Sequence, residues 1–420
     1  FYISRFNLFN EILLKIQEQF LNNLFKSIKK NIIFLSDEKV YFIKKLKSNL
    51  KNKKNLILYY SPTTSYIKII QLLLSQFLAF LRRKKESEEL GIFLLPNNEI
   101  YNNFIKIKKH LKKSQIKEID NFFAYYLIKR SYLNILYSLS YEKYISKVFK
   151  DIKVHKSYFH SLRFSDLFSF ARALNKLNNN VFLISHGSHT VQKNRKIDIL
   201  ASKSLGIGMT YTNEKGIKIL SQSVYCDRFL DSLKVNYLRI NRIMEGKSLN
   251  HENKFKNSKI TKILYVGTIK QLGSRRYYVE SSAEFIGSIN LIYNKLIKYS
   301  KLFKIIIRIR DVPYEMSNEI LNNAFKDKKG LLELGLKNSI YEEIKSCDCL
   351  ISLSSTTLEE GIEMNKPVMS FGLSRYNHFS NYEKTIKNNH INNNLKIIEN
   401  SLGRKFIYRE KINRKIDYQI

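Results

Sequence analysis

Cysteine, long apolar runs and acidic side chains are scarce in this chain of 420 residues. Its three cysteines, Cys226, Cys347 and Cys349, are too few for a disulfide framework, and the Cys-x-Cys spacing is not that of a zinc knuckle, so a reducing cytoplasm fits them best. The most apolar run covers 66–81, roughly 16 residues that include Lys68, whereas crossing a bilayer takes about 20. We therefore interpret this run as a buried helix or a helix on a membrane surface.

Sequence motifs of several common nucleotide and metal chemistries are missing as well. The chain has no Gly-x-Gly-x-x-Gly fingerprint and no Gly-x-x-x-x-Gly-Lys-Ser/Thr loop, so dehydrogenase and nucleotide-hydrolase functions have no support. It also has no Asp-x-Asp pair, and a divalent metal held by carboxylates therefore has no evident ligands. We expect neither a metal nor a cofactor.

The chain carries 73 basic residues against 36 acidic ones, a formal net charge of +37. Such an excess indicates a surface that binds polyanions. Part of it has another source, because Lys, Asn, Ile, Tyr and Phe are all over-used and all have A/T-rich codons. Hydrophobic residues make up 44% of the chain, with 27 Tyr and 27 Phe, which is ample material for buried cores. The length predicts two domains or one large α/β unit.

Continuous apolar segments of strand length alternate with helical patterns in the first part of the chain. The predicted strands are 31–36, 55–61, 91–96, 180–185 and 208–212, and a helix is predicted over 213–223. Strands without apolar–polar alternation, separated by helices, are typical of a parallel sheet covered on both faces. A polar stretch without periodicity over 241–259 then predicts an interdomain linker.

The same alternation restarts after this linker, with predicted strands at 262–267, 304–310, 349–353 and 367–371. Two such arrays predict an α/β protein of two doubly wound, Rossmann-like domains that face each other across a cleft, with the ligand at the carboxyl ends of the strands. We place a first domain at 1–245, a second domain at 258–400, and a tail or helix at 401–420.

The segment 339–372 holds the most specific chemical pattern. A predicted strand ends there in four hydroxyl residues, and two carboxylates follow: Ser354, Ser355, Thr356, Thr357, Glu359 and Glu360. Backbone N–H groups at a helix N-terminus and hydroxyl donors bind phosphate, and a carboxylate one turn further accepts both hydroxyls of a ribose. The alternative is an ordinary Ser/Thr helix cap with a capping-box glutamate. A turn with Lys366 and Pro367, leading back into a parallel strand, favours the nucleotide site.

This segment resembles the donor-binding half of GT-B glycosyltransferases. The shared pattern comprises Asp348, Leu350, Ile351, Ser352, Ser354, Ser355, Glu359, Lys366, Pro367 and Val368. Three further landmarks, at 185–187, 263–268 and 306–310, occur in the order seen in bacterial surface or capsular polysaccharide transferases and in CDP-glycerol glycerophosphotransferase-like enzymes. The resemblance covers about 150–375 and implies the GT-B fold, with an N-terminal, acceptor-side domain at 1–245 and a nucleotide-donor-binding domain at 258–400.

On the acceptor side, the resemblance implies that His186 is the general base that activates the acceptor hydroxyl. A neutral imidazole, with an ordinary pKa of about 6.5, suits that task, and Gly187 lets the backbone approach the ligand. The alternative is a structural histidine at a strand end, and His189 is a neighbouring rival. His160 and Arg163 either line the acceptor side of the cleft or belong to a plain helix-entry loop.

On the donor side, the resemblance assigns groups to the phosphates and to the ribose of the nucleotide. It implies that Glu359 binds the ribose and that Thr268 begins a loop over the cleft. The phosphates are expected to bind to Arg308, Arg310 and the four hydroxyl residues Ser354, Ser355, Thr356 and Thr357. In many relatives a His-Pro pair stands where this chain has Arg310-Asp311. An arginine neutralises phosphate but cannot act as a general acid near neutral pH. Either Arg310 replaces that histidine electrostatically, or the leaving group is stabilised without protonation.

These residues predict the metal-independent transfer of a sugar, or of a polyol phosphate, from a nucleotide-activated donor to a surface glycan or lipid-linked glycan. The expected location is the cytoplasm, with peripheral contact to the anionic inner face of the cytoplasmic membrane. Two alternatives stay open: a nucleotide-sugar 2-epimerase of the same fold, and a non-catalytic nucleic-acid-binding protein. The N-terminal half offers few of the clustered acids that an epimerase needs. Against nucleic acid, the charge is spread along the chain and no recognised binding motif appears.

Overall fold

The computed structural model describes the greater part of two α/β halves. The described residues are 7–27, 30–36, 41–51, 55–61, 66–82, 89–95, 135, 137–163, 165–185, 187, 203, 206–243, 260–267, 282–309, 318–328, 330–335, 339–353, 355–373, 393–408 and 415–419.

The first half is built on a sheet of seven strands. Its strands are β1 (Asn31–Leu35), β2 (Asn55–Tyr60), β3 (Glu89–Ile92), β4 (Val154–Phe159), β5 (Val181–Ile184), β6 (Lys218–Ser221) and β7 (Leu238–Arg239). Its helices are α1 (Asn7–Ser27), α2 (Tyr41–Leu50), α3 (Tyr66–Arg82), α4 (137–148), α5 (Ser165–Lys176) and α6 (Val224–Ser232). The strand order is β3-β2-β1-β4-β5-β6-β7, and neighbouring strands pair in parallel.

The second half is built on a five-stranded parallel sheet. Its strands are β8 (Thr261–Gly267), β9 (Phe303–Ile309), β10 (Leu332–Leu334), β11 (Cys349–Ser352) and β12 (Val368–Ser370), and their order is β10-β9-β8-β11-β12. Its helices are α7 (Ser282–Leu296), α8 (Asn318–Ala324), α9 (Ile340–Ser346), α10 (Thr357–Glu363) and α11 (Asn393–Leu402), and short 3-10 helices cover Ile297–Tyr299 and Lys326–Lys328.

Both sheets bury apolar side chains on their two faces. In β1, Phe34 belongs to one core and Ile33 to the core on the opposite face, and in β8 Ile263 and Leu264 divide in the same way. Successive side chains on a strand point to opposite faces, so a strand covered on both sides is apolar throughout. This is the physical reason why the strands could be predicted from runs without alternation.

The order of strands reverses once in each sheet, between β1 and β4 in the first and between β8 and β11 in the second. This doubly wound order in both halves confirms the predicted fold class. In open α/β sheets the crevice outside the carboxyl ends of the strands at such a reversal is where ligands bind.

The prediction for 208–223 is wrong. The structure has a turn at 206–211, where the N–H groups of Met209, Thr210 and Tyr211 all donate to the carbonyl of Gly206. The strand is β6, inside the segment predicted as a helix. Residues 219–221 of β6 are buried between two neighbouring strands, so tertiary burial overrides the local pattern. The boundary predicted between 245 and 258 lies outside the described residues and stays a prediction.

One face of α3 is buried and the other is exposed. Ile69, Leu73 and Gln76 are buried on the side of α1, whereas Ile67 and Leu74 are 71% and 55% exposed. In the part of the chain that the structure describes, no helix is both long and apolar enough to cross a bilayer. Contact of the exposed face with a membrane surface stays a prediction.

The C-terminal segment, predicted as a tail or helix, returns from the second half to the first. Helix α11 ends at Leu402, and Ile407 then forms an antiparallel bridge with Val368 of β12. Further on, the N–H groups of 417 and 418 donate to the carbonyl of Arg239 in β7, at 3.0 and 3.1 Å. The end of the described chain therefore links the two sheets.

Tyr418 makes the main contact of this returning segment. Its ring lies 5.1 Å from the ring of Phe182, and its hydroxyl lies 3.3 Å from the hydroxyl of Tyr158. The ammonium of Lys156 lies 5.1 Å from the centre of the Tyr418 ring. Tyr418 thus covers the core on one face of the first sheet.

We predict that Tyr418→Ala lowers the free energy of unfolding by about 1–3 kcal/mol, because the half-buried ring and its aromatic contacts are lost. Tyr418→Phe, which keeps the ring and loses only the hydroxyl, should cost less than about 1 kcal/mol. Chemical denaturation followed by circular dichroism measures both. Equal stability of the Ala variant and the wild type would show that the returning segment does not stabilise the first half.

Candidate functional site

The carboxyl edges of the two sheets meet at Gly187 and helix α10. Gly187 follows β5, is buried, and has a φ of +138°, a conformation that L side chains rarely adopt. A Cβ atom there would lie 2.6 Å from Cγ2 of Thr356 and 3.6 Å from Oε1 of Glu359. The structure therefore brings together two motifs that the sequence separates by about 170 residues and that were predicted to flank one cleft.

Glu359 is held in this junction by two residues of the first half. Its side chain is 1% exposed, and its Oε2 accepts hydrogen bonds from the hydroxyl of Ser223 at 2.5 Å and from Nη1 of Arg242 at 2.9 Å. Nη2 of Arg242 also lies 3.6 Å from Oε1 of Glu360 and 3.5 Å from the carbonyl oxygen of Thr356. The carboxylate predicted to bind ribose thus carries a buried ion pair between the halves.

The side chain of Arg242 is only 9% exposed, so its charge depends on these carboxylates. Burial by itself would lower the pKa of Arg242, but Glu359 and Glu360 raise it above its usual range. The guanidinium therefore stays charged. A buried charge of this kind persists only when it is paired and hydrogen-bonded.

Ser223 has a second role as the N-cap of helix α6. Its Oγ accepts the N–H of Cys226 at 3.1 Å while its hydroxyl donates to Glu359. Glu359 thus lies at the N-terminus of a helix from the other half, where a negative charge is favourable. The Sγ of Cys226 lies 2.9 Å from Oγ of Ser185, and burial raises the pKa of this thiol to about 12.

Ser223 and Arg242 were missed by sequence reasoning. Serine before an apolar periodic run is a known helix-start signal, so the sequence could have indicated Ser223 as a helix cap. It could not have indicated Ser223 as a partner of Glu359. Arg242 lies in the polar stretch predicted as a linker, and no local pattern marks it. Its importance comes from a partner more than 100 positions away.

The hydroxyl residues before α10 form a local hydrogen-bond network. Ser355 Oγ donates to Oγ1 of Thr357 at 2.9 Å, and Ser352 Oγ donates to the carbonyl of Val266 at 2.6 Å. The backbone N–H of Ser355 donates to Ser352 Oγ, that of Thr357 to Ser355 Oγ, and that of Leu358 to the carbonyl of Ser355. These groups are hydrogen-bonded within the segment, but Thr356, the N-cap of α10, makes no side-chain cap hydrogen bond. The Ser/Thr side-chain cap that the sequence left as the alternative to a phosphate seat is therefore not formed by Thr356.

Arg308, predicted to hold donor phosphate, is engaged elsewhere on the second sheet. Its Nη1 lies 2.7 Å from Oε1 of Glu343 in helix α9. Glu343 is 6% exposed; burial raises its pKa even though Arg308 acts to lower it. The other predicted site residues His186, Thr268, Arg310 and Ser354, and the rival His189, lie outside the described residues.

A turn of the first half supports Gly187 from behind. Oγ1 of Thr210 donates to the carbonyl of Gly187 at 3.0 Å. The same turn accepts hydrogen bonds from Nε of Arg163, to the carbonyl of Ile207 at 3.2 Å, and from the N–H of Leu162, to the carbonyl of Gly208 at 2.5 Å. Arg163 thus fixes the turn that carries Thr210.

His160 lies at the point where the strand order of the first sheet reverses. It follows β4, and its ring Nδ1 is 2.7 Å from Oγ of Ser36. Its backbone N–H donates to the same oxygen at 3.1 Å. Ser36 follows β1. The structure places His160 at the sheet edge where the strand order reverses and fixes its ring through Ser36. That it lines the acceptor side of a cleft stays a prediction. Within the described residues, no group of three or more His, Cys, Asp or Glu side chains is placed to hold a metal ion.

Comparison with known proteins gives similarity at the level of structure only. No protein-family model and no curated protein matches the chain. Similar solved structures include a protein of Listeria monocytogenes assigned as a UDP-N-acetylglucosamine 2-epimerase, with 9% identity over 81% of this chain and 78% of that one and a TM-score of 0.41. The structure of S. aureus MnaA with UDP has 11% identity over 81% of this chain and 79% of that one, with a TM-score of 0.39. The structure of LpCGTa with UDP has 9% identity over 89% of this chain and 90% of that one, with a TM-score of 0.44. Identities and TM-scores this low carry no argument about activity.

We predict that Gly187→Ala destabilises the protein by about 2–4 kcal/mol, because the new methyl group overlaps Thr356 and the backbone is strained at positive φ. Gly330→Ala is the matched control: Gly330 also has a positive φ, +102°, but no atom lies within 4 Å of its Cβ position. It should cost only the backbone strain, about 1 kcal/mol.

The double variant Gly187→Ala/Thr356→Ser tests the contact itself, because serine lacks the overlapping Cγ2. We expect the double variant to be more stable than Gly187→Ala, with a loss of melting temperature from the wild type about equal to that of Gly330→Ala. If Gly187→Ala costs no more than Gly330→Ala, or if Thr356→Ser gives no recovery, Gly187 does not pack against α10.

Proposed function

We propose that the chain transfers a sugar, or a polyol phosphate, from a nucleotide-activated donor to a glycan acceptor, with the donor bound where the two sheet edges meet. One observation carries the proposal. Gly187 of the Ser-His-Gly turn packs against Thr356 and beside Glu359, so the motif that resembles an acceptor-activating turn adjoins the motif that resembles a donor-binding segment.

In this proposal, the two halves supply different parts of the chemistry. Glu359 accepts the ribose hydroxyls of the donor, and His186 takes the proton of the acceptor hydroxyl as it attacks. Contact of the halves excludes water from the reacting groups and fixes donor and acceptor in one orientation. Charge on the leaving nucleotide is matched by arginine rather than by a metal.

The test of donor binding is thermal unfolding at near-physiological salt with CMP, CDP, UDP, GDP and a mixed single-stranded oligonucleotide. A ligand at about 100 times its Kd stabilises the folded state by about 2.7 kcal/mol. We expect selective stabilisation by one nucleotide, reduced in Glu359→Gln. Gln keeps the shape of the side chain, whereas Ala would leave Arg242 buried without its partner. Glu363→Gln, on the same helix, is the matched control.

The oligonucleotide in this experiment and two activity assays separate the proposal from its alternatives. Stabilisation only by the oligonucleotide, fading as salt rises, identifies a nucleic-acid-binding protein. Conversion of a nucleotide sugar to its 2-epimer without any acceptor identifies an epimerase. With an acceptor present, His186→Ala should abolish turnover while the nucleotide shift persists, and full turnover by that variant would contradict its role as the base.

A further inference from the structure

The donor site of the proposed function needs positive charge for the diphosphate, and Arg308, the described cation predicted to provide it, is engaged elsewhere. The N–H groups of 355, 357 and 358 are used within the local hydrogen-bond network before α10, and α10 has only seven residues. Arg308 is in an ion pair with Glu343, 2.7 Å away. Among the residues that the structure describes, a phosphate beside Glu359 therefore needs another cation.

The guanidinium of Arg242 supplies a positive charge beside Glu359. It reaches from the end of β7 in the first half and contacts Glu359 through Nη1 and the Thr356 carbonyl through Nη2. One side chain thus touches both the carboxylate assigned to ribose and the segment assigned to phosphate. A guanidinium is planar, always charged, and able to donate in parallel to two phosphate oxygens.

The present contacts of Glu359 compete with the role proposed for it. Its Oε2 receives the hydrogen bonds of both Ser223 and Arg242. Its side chain is 1% exposed, so ribose hydroxyls can reach this carboxylate only if groups packed around it move. If Arg242 is the group that moves, its guanidinium keeps only the longer ionic contact with Glu360, 3.6 Å away, and gains by pairing with a new anion, since a buried charge without a close partner is unfavourable.

We propose that Arg242 binds the diphosphate of the nucleotide donor, exchanging Glu359 for phosphate oxygens as the ribose takes over the carboxylate. The inference rests on the proposed function and extends it. In this structure the Arg242–Glu359 pair joins the two halves directly. In the bound state the nucleotide joins them, with Glu359 of the second half on the ribose and Arg242 of the first half on the phosphates.

The test compares a nucleoside diphosphate with its nucleoside by isothermal titration calorimetry, using CDP with cytidine, UDP with uridine and GDP with guanosine. Arg242→Gln should weaken binding of the preferred diphosphate at least about tenfold, as expected for loss of a charge-assisted hydrogen bond. Its affinity for the nucleoside should be unchanged or increased, because Glu359 is released. Arg239→Gln, which removes a cation that pairs with Asp227, is the control for net charge.

Each outcome decides one point. An equal loss for diphosphate and nucleoside, or no loss for either, overturns the role of Arg242 while leaving the proposed function standing. Binding of none of the three diphosphates to the wild type overturns the inference, and if CMP does not bind either, it overturns the proposed function as well. If Arg242→Gln fails to fold, Glu359→Gln is compared with Glu359→Gln/Arg242→Gln, in which no buried charge is left unpaired, and the preference for diphosphate should be lost only in the double variant.

Discussion

The buried ion pair between Arg242 and Glu359 is the constraint on which the arrangement of the site depends. Both side chains are almost fully removed from water and come from opposite halves of the chain. Each charge is unfavourable there without a close counter-charge, and the second carboxylate near Arg242, that of Glu360, is more distant at 3.6 Å, so the pair holds the two halves together. Ser223 reinforces the pair while capping α6, and Gly187 allows the backbone of the first half to reach Thr356.

The two sheets place this pair at the junction through their winding. Each sheet reverses its strand order once, and the residues of interest follow the carboxyl ends of strands: Gly187 after β5, Ser223 after β6, Arg242 after β7 and Glu359 after β11. Loops at these ends are free of the sheet's hydrogen-bonding ladder and therefore carry polar side chains. The returning segment at Tyr418 adds a second link between the halves, on one face of the first sheet rather than at the site.

The fold and part of the site follow from local sequence patterns. Buried parallel strands are apolar throughout, which made β1, β2, β5, β8 and β11 evident, and the spacing of Gly187 and Glu359 after two such strands placed both at sheet edges. Short edge strands such as β7 carry no such signal. The strand β6 was predicted as a helix because its pairing, rather than its own sequence, determines it. Arg242 could not be found for the same reason, since a charged residue in a polar stretch is defined only by its distant partner.

The measurement that tests this account most directly is a double-mutant cycle on Arg242 and Glu359, with unfolding free energies for wild type, Arg242→Met, Glu359→Gln and the double variant. Each single variant leaves one buried polar partner without its counterpart, so the two losses should not add. We predict a coupling energy of about 2 kcal/mol. Losses that add to within about 0.5 kcal/mol would show that the two side chains do not interact, and that the halves are not joined at the site through this pair.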